Sequence, residues 1–78
     1  MKTSRRIRRF IEMDLLDGAE THDPLAEGML DSLAMEQLIA FLEERYGMQF
    51  ADEDLVAENF ASIDALAAIV DQRRKVRR

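Results

Sequence analysis

The side chain with the clearest chemical potential in this sequence is the hydroxyl of Ser32, in the triplet Asp31-Ser32-Leu33. The triplet stands where an amphipathic pattern predicts the start of a long helix. A phosphate ester on an exposed serine at that place would meet unpaired backbone N–H groups and the positive end of the helix dipole. Serine is also a preferred helix N-cap, so Ser32 has a purely structural interpretation too. Three residues alone do not decide between the two.

The composition removes most other kinds of reactive site. The chain has no cysteine, so it offers no thiol nucleophile, disulfide or zinc knuckle. Its one histidine, His22, has no recognisable partner for catalysis and cannot form a histidine cluster for a metal. We therefore expect no catalytic and no metal-binding residues. A thiol, if the function needs one, must come from a cofactor.

Charge is strongly segregated along the chain, whose net charge is -5 over 78 residues. Ten of the 11 basic residues lie in the ends 1–9 and 73–78, and the other one is Arg45. All 16 acidic residues lie within 10–72, so with Arg45 that stretch carries a net charge of −15. Such a body repels nucleic acid and favours partners that present a basic patch. The two basic ends have a simple interpretation as frayed, solvated tails.

Periodicity predicts an all-α bundle of three longer helices and one short helix around a small core. The first helix is expected over about 4–16, capped by Thr3 or Ser4. The short helix is expected near 52–57, where acidic residues suit a helix N-terminus. The last helix begins after Ser62, which can cap it. Its inward-facing residues are Ile63, Leu66, Ala67, Ile69 and Val70.

The second helix is the strongest prediction, with Asp31 or Ser32 as its N-cap and Gly47 as a left-handed C-cap. One apolar stripe predicts its buried face: Met35, Leu38, Ile39, Leu42 and Tyr46. Another face points away from that stripe: Leu33, Gln37, Ala40 and Glu44. Leu33 and Phe41 are apolar residues that the core does not obviously need.

A long loop over 17–31 joins the first two helices. Loops of this length are uncommon in compact domains and are often functional. Its apolar residues are sufficient to pin it onto the core: Leu25, Met29 and Leu30. We therefore expect the loop to be ordered.

No apolar run approaches the length that spans a bilayer. Glu12 and Asp14 interrupt the segment that follows the basic residues 1–9, so we expect no secretory signal. We expect one domain over 1–78, located in the cytoplasm.

The order of these elements resembles the phosphopantetheine-binding carrier family, the acyl and peptidyl carrier proteins. The resemblance covers nearly the whole chain except its basic ends. It is carried by these segments: Asp23-Pro24-Leu25, Gly28-Met29-Leu30-Asp31-Ser32-Leu33, Leu38, Phe41-Leu42-Glu43-Glu44-Arg45-Tyr46-Gly47, Phe50 to Leu55, and Ser62-Ile63.

The resemblance implies that 4'-phosphopantetheine is attached to Ser32, with Asp31 helping to organise magnesium and the serine during transfer. Leu33 would be an apolar anchor for partners. The implied recognition residues are Met29, Leu33, Gln37, Ala40, Phe41 and Glu44. The implied partners are a phosphopantetheinyl transferase, an acyl- or aminoacyl-loading ligase and downstream acyl-processing enzymes. They would act on a monomer, with no nucleic acid and no membrane involved.

Two residues depart from the commoner fatty-acid pattern. Ala34 stands where an acidic residue often follows the Ser-Leu pair, and Gln37 replaces a frequent glutamate. The segment 28–32 is closer to free-standing carriers that adenylating ligases load. The expected function is therefore a free-standing carrier in specialised metabolism, holding an acyl or aminoacyl group as a thioester for biosynthetic enzymes.

Other classes of function remain open at this point. One is a helical protein–protein adaptor without a prosthetic group, and another is a nucleic-acid binder that uses the basic ends. If the resemblance holds, those ends lie at the pole opposite Ser32, where they would orient the protein on an acidic partner surface.

Overall fold

The computed structural model of the chain describes residues 2–18 and 22–74. Its α-helices are α1 (Lys2–Phe10), α2 (Ser32–Tyr46) and α3 (Ile63–Arg74). No strand occurs in these two ranges, which confirms the all-α class for the described part of the chain. Within the same ranges, no helix is long and apolar enough to cross a bilayer.

Helix α1 continues into a π turn over Ile11–Leu15. The Leu16 N–H donates to the Ile11 carbonyl, five residues earlier, at 2.8 Å. Asp17 and Gly18 then adopt positive φ angles of 61° and 86° and end the helical segment. The helix predicted over 4–16 is thus present, but it begins at Lys2.

Both basic clusters extend into helices. The first lies on α1, whose Thr3 and Ile7 are buried. Arg73 and Arg74 of the second belong to the last turn of α3, and 75–78 lie outside the described residues.

Thr3 and Ser4 lie inside α1, so the prediction that one of them caps its start is wrong. Their hydroxyls instead join α1 to α3. Thr3 Oγ1 donates to Asp71 Oδ1 at 2.7 Å, and Ser4 Oγ donates to Asp64 Oδ1 at 3.0 Å. The first and last helices therefore pack side by side.

The predicted short α-helix near 52–57 is not formed, so the count of four helices is not confirmed. Two separate 3₁₀ turns take its place, Asp52–Asp54 and Ala57–Phe60. Asp54 Oδ2 accepts the Ala51 N–H at 2.8 Å. This hydrogen bond joins the last residue of the first turn to the residue that precedes the turn. Leu55 and Val56 then leave the helical region of backbone conformation, with ψ angles of 62° and 155°.

The core lies where the three α-helices meet. Its fully buried large side chains are Ile7, Ile11, Pro24, Leu38, Leu42, Leu66 and Val70. Burying an aliphatic side chain of this size stabilises the fold by about 1.5–3 kcal/mol. All five inward-facing residues predicted for α3 are buried. Of the stripe predicted for α2, Leu38 and Leu42 are buried, whereas its other members are half-buried.

Candidate functional site

Helix α2 begins with Asp31 as its N-cap. Asp31 has an extended backbone, and its Oδ1 accepts the Ala34 N–H at 2.8 Å. Its carbonyl accepts the Met35 N–H at 2.9 Å. Of the two caps that the sequence allows, the structure therefore uses Asp31, and Ser32 becomes the first residue of the helix.

Because Asp31 is the cap, the Ser32 hydroxyl is not needed for that purpose. Ser32 is exposed, and its hydroxyl makes no hydrogen bond within 2–18 or 22–74. The backbone N–H groups of Ser32 and Leu33 belong to the first helical turn and have no carbonyl partner four residues earlier within α2. An ester phosphate on Ser32 would lie beside these donors and the positive end of the α2 dipole. The residues present fit such a group.

The loop before Ser32 is attached to the start of α3 through Asp23. Both carboxylate oxygens of Asp23 lie 3.3 Å from the Ile63 N–H, which they accept. Asp23 Oδ1 also accepts the Ala26 N–H at 3.1 Å. Ser62 Oγ accepts the Ala65 N–H at 3.0 Å, which confirms Ser62 as a cap of α3. Asp23 and Ser62 thus each accept a backbone N–H group in the first turn of α3.

The rest of the loop is pinned by apolar contacts and one arginine. Leu25 is buried and Leu30 is half-buried against the core, as predicted. Met29 is 44% exposed, so the prediction that it pins the loop is wrong. Arg8 of α1 donates to the His22 carbonyl at 2.7 Å. These contacts attach the described residues 22–31 to the helices, and the order of the loop stays a prediction.

An open depression adjoins Ser32 on the surface. Its lining combines apolar and acidic side chains: Leu30, Asp31, Met35, Glu36 and Ile39. A group attached to Ser32 would therefore start beside an apolar surface with a negative rim.

Most of the residues predicted to recognise partners are exposed. Leu33 is 63% exposed, and Met29, four residues earlier on the loop, is exposed too. Three further members lie exposed along α2: Gln37, Ala40 and Glu44. The structure therefore leaves this face of α2 accessible, and its role in recognition stays a prediction.

Phe41 differs from the other predicted recognition residues because its ring packs against another side chain of the molecule. Its ring stacks on that of Phe10, with centroids 4.0 Å apart and planes 6° from parallel. Both rings are half-buried against the core. The core therefore does use Phe41, and the contrary expectation from the sequence is wrong.

Two exposed apolar residues were not anticipated as surface features. Leu55 and Val56, between the two 3₁₀ turns, are 47% and 40% exposed. Sequence reasoning assigned Leu55 to a segment leading into a short helix.

The family model for the phosphopantetheine attachment site matches residues 4–70. The chain belongs to this family. Carrier domains of the family hold 4'-phosphopantetheine covalently on a serine and are not enzymes. They act with phosphopantetheinyl transferases and acyl-processing enzymes. Comparison with the curated proteins and with the solved structures gives no match.

The composition of this carrier domain agrees with the chemistry of the group. The chain has no cysteine, and phosphopantetheine supplies, when bound, the thiol on which a thioester forms. Within the described residues, no cluster of histidine, aspartate or glutamate could hold a metal ion by itself.

Proposed function

We propose that Ser32 is the phosphopantetheine attachment site of a free-standing carrier that acts as a monomer in the cytoplasm. The carrier tethers an acyl or aminoacyl group as a thioester and presents it to enzymes of specialised metabolism. One observation carries the assignment of Ser32: its hydroxyl is exposed at the head of α2 and unused, because Asp31 supplies the cap.

The proposed modification is a group transfer from coenzyme A. The Ser32 Oγ–P bond forms while a P–O bond of the coenzyme A pyrophosphate breaks. Adenosine 3',5'-bisphosphate leaves with the electron pair, and the hydroxyl proton passes to a base of the transferase. The N–H groups at the head of α2 then face the new phosphate.

Asp31 has a second role in this proposal. Its Oδ1 is occupied by the Ala34 N–H, whereas its Oδ2 makes no hydrogen bond in the described part of the chain. That oxygen is available to help organise magnesium and Ser32 in the transferase complex. The same residue thus caps the helix with one oxygen and serves the transfer with the other.

The exposed face of α2 is proposed as the surface that partners recognise, with Leu33 as its apolar anchor. Ala34 and Gln37 leave the start of this face without the acidic residues of the commoner fatty-acid pattern. This difference supports loading by an adenylating ligase. The cargo is then an aminoacyl group or another acid that such a ligase activates.

The test of Ser32 is intact mass after incubation with coenzyme A and a broad-specificity phosphopantetheinyl transferase. We expect a gain of one phosphopantetheine group in the wild type and none in Ser32→Ala. The chain's other serines, Ser4 and Ser62, provide matched controls, since Ser4→Ala and Ser62→Ala should still be modified. No gain at all, or a gain that survives Ser32→Ala, would favour a helical adaptor without a prosthetic group.

The test of the pathway uses the modified protein. It is offered to adenylating ligases and to fatty-acid acyltransferases, and the attached group is read from the mass of the product. Loading by the ligases supports specialised metabolism. Loading only by the fatty-acid enzymes would overturn that part of the proposal.

A further inference from the structure

A cluster of basic side chains surrounds the end of α2 that is far from Ser32. Helix α2 has 15 residues, so its last residue, Tyr46, lies about 21 Å along the helix from Ser32. A surface depression of about 550 Å³ lies there. Four basic residues line it: Lys2, Arg6, Arg45 and Arg74. One acidic residue, Glu44, also lines it.

The depression continues along α1. A second depression is lined by Lys2, Arg5, Arg6 and Arg9. A third is lined by Arg6 and Arg9, by one acidic residue, Asp14, and by the apolar side chains of Phe10, Met13 and Phe41. We call the surface formed by these three depressions the basic groove, with these basic members: Lys2, Arg5, Arg6, Arg9, Arg45 and Arg74. Arg6 borders all three depressions.

The basic groove has an excess of positive charge, since its basic residues outnumber its two acidic ones, Asp14 and Glu44. Lys2, Arg6 and Arg45 make no salt bridge and no hydrogen bond within the described residues. Arg74 lies over the Tyr46 ring at 4.5 Å and reaches Asp71 at only 3.8 Å. Like charges around one groove repel each other, and a bound anion would relieve that repulsion.

Helix stability explains only part of this cluster. Arg45 and Arg74 lie at the C-terminal ends of α2 and α3, where cations are favourable. Lys2 lies in the first turn of α1, where cations are unfavourable, whereas Arg9 lies in its last turn and Arg6 between the two. Their recurrence at spacings of four and three residues places them on one face of α1. The stability of α1 therefore does not account for Lys2 and Arg6.

We infer that the basic groove is a docking surface for an acidic segment of a partner protein. The stretch 10–72 carries a net charge of −15, so an extended polyanion such as nucleic acid or a membrane would meet repulsion beyond the groove. A short acidic segment can bind in the groove without extending over the acidic remainder of the surface. Met13, which is 60% exposed, offers an apolar contact at one end of the groove. A partner held there leaves Ser32 accessible.

The binding test uses the full chain and a fluorescein-labelled oligoglutamate peptide with leucine at one end, followed by fluorescence anisotropy at low salt. We expect Arg6→Gln to weaken binding by roughly tenfold, in the range of close charge pairs at interfaces. Arg45→Gln, on a different helix, should weaken binding as well. Ala68→Glu is the matched control, because it also lowers the net charge by one unit but lies exposed on α3, outside the basic groove.

Equal weakening by Arg6→Gln and Ala68→Glu would show that only net charge matters and would overturn the inference. Tighter binding of a DNA duplex, or of phosphatidylcholine vesicles containing phosphatidylglycerol, would overturn the choice of a protein partner. Circular dichroism verifies that each variant is folded. Ser32→Ala should bind the peptide like the wild type, so failure of the carrier proposal and failure of this inference are distinguishable.

Discussion

Arg73 holds the buried carboxylate of Asp54 with two hydrogen bonds, and so ties the first 3₁₀ turn to the last turn of α3. Arg73 Nε donates to Oδ2 at 2.8 Å, and Arg73 Nη2 donates to Oδ1 at 2.5 Å. Asp54 is only 3% exposed, and the Ala51 N–H also donates to it. The carboxylate is thus fully engaged by two partners, and loss of either leaves part of a buried charge unpaired.

Arg73→Gln should lower the free energy of unfolding, because it leaves the Asp54 carboxylate without its charged partner. Arg74→Gln, at the next position of the same helix, is the control, because Arg74 is exposed and makes only a long ion pair with Asp71 and a contact with the Tyr46 ring. Urea unfolding at neutral pH measures both variants. Equal effects of the two substitutions would contradict the structural role of the Asp54–Arg73 pair.

The same pair predicts a dependence of stability on pH. The hydrogen bonds from Arg73, and then that from the Ala51 N–H, hold the pKa of Asp54 below its ordinary value, despite the burial that would raise it. The unfolded chain, with an aspartate pKa of about 3.9, then binds the proton first as the pH falls. The contribution of Asp54 is therefore present at neutral pH and is lost below about pH 4.

Urea unfolding of the wild type and of Asp54→Asn, from neutral pH down to about pH 3, measures this dependence. The difference in free energy of unfolding between the two proteins should be constant near neutral pH and shrink in acid. A difference that stays the same through the acid range would show that the pKa of Asp54 is not depressed.

Two variants of Asp31 distinguish its role as the cap of α2 from its proposed role in the transfer. Asp31→Ala removes the cap of α2 and should cost about 0.5–2 kcal/mol of stability. Asp31→Asn keeps a good capping residue and should cost much less. Both variants lose the negative charge proposed to act in the transfer, so both should be modified more slowly at Ser32. A normal modification rate in Asp31→Asn would leave Asp31 with the capping role alone.

Substitutions of Phe41 and Leu33 distinguish a residue that stabilises the fold from one that is proposed to bind partners. Phe41→Ala removes the stacked partner of Phe10, and since Phe41 is half-buried we expect a loss of about half the 3–5 kcal/mol typical of a fully buried phenylalanine. Leu33→Ala should change stability by less than about 0.5 kcal/mol. With a loading ligase, Leu33→Ala should raise KM. A marked loss of stability in Leu33→Ala would contradict its assignment to the surface.

Asp23 provides a further test, since it links the loop to α3. Asp23→Ala removes the acceptor of the Ile63 and Ala26 N–H groups and should cost about 1 kcal/mol. Glu27→Ala is the control, because Glu27 is exposed in the same turn and its side chain makes no hydrogen bond in the described chain. Thermal unfolding followed by circular dichroism compares them. Similar midpoints for the two variants would show that the Asp23 contacts contribute little.

Local signals in the sequence were enough to predict the elements that position Ser32. The apolar spacing of α2, its C-cap at Gly47 and the Ser62 cap of α3 are each set by residues within one or two turns. The place of Ser32 at the head of α2 follows from the same kind of signal. These features need no knowledge of which helix packs on which.

The contacts between distant residues could not be predicted in this way. Asp23 meets Ile63 across 40 positions, and Arg73 meets Asp54 across 19. No periodic pattern encodes such pairs, because they exist only once the helices are packed. The missed 3₁₀ turns have the same origin, since the acidic residue expected to start a helix is held by Arg73 instead.

The bonds from Thr3 to Asp71 and from Ser4 to Asp64 join residues 68 and 60 positions apart. Pairing α1 with α3 therefore closes nearly the whole described chain into one loop, and the entropy of that closure is lost in a single step. Neither terminal helix can detach without exposing the buried face of the other. We therefore expect the domain to unfold as one cooperative unit, with α1 and α3 opening together.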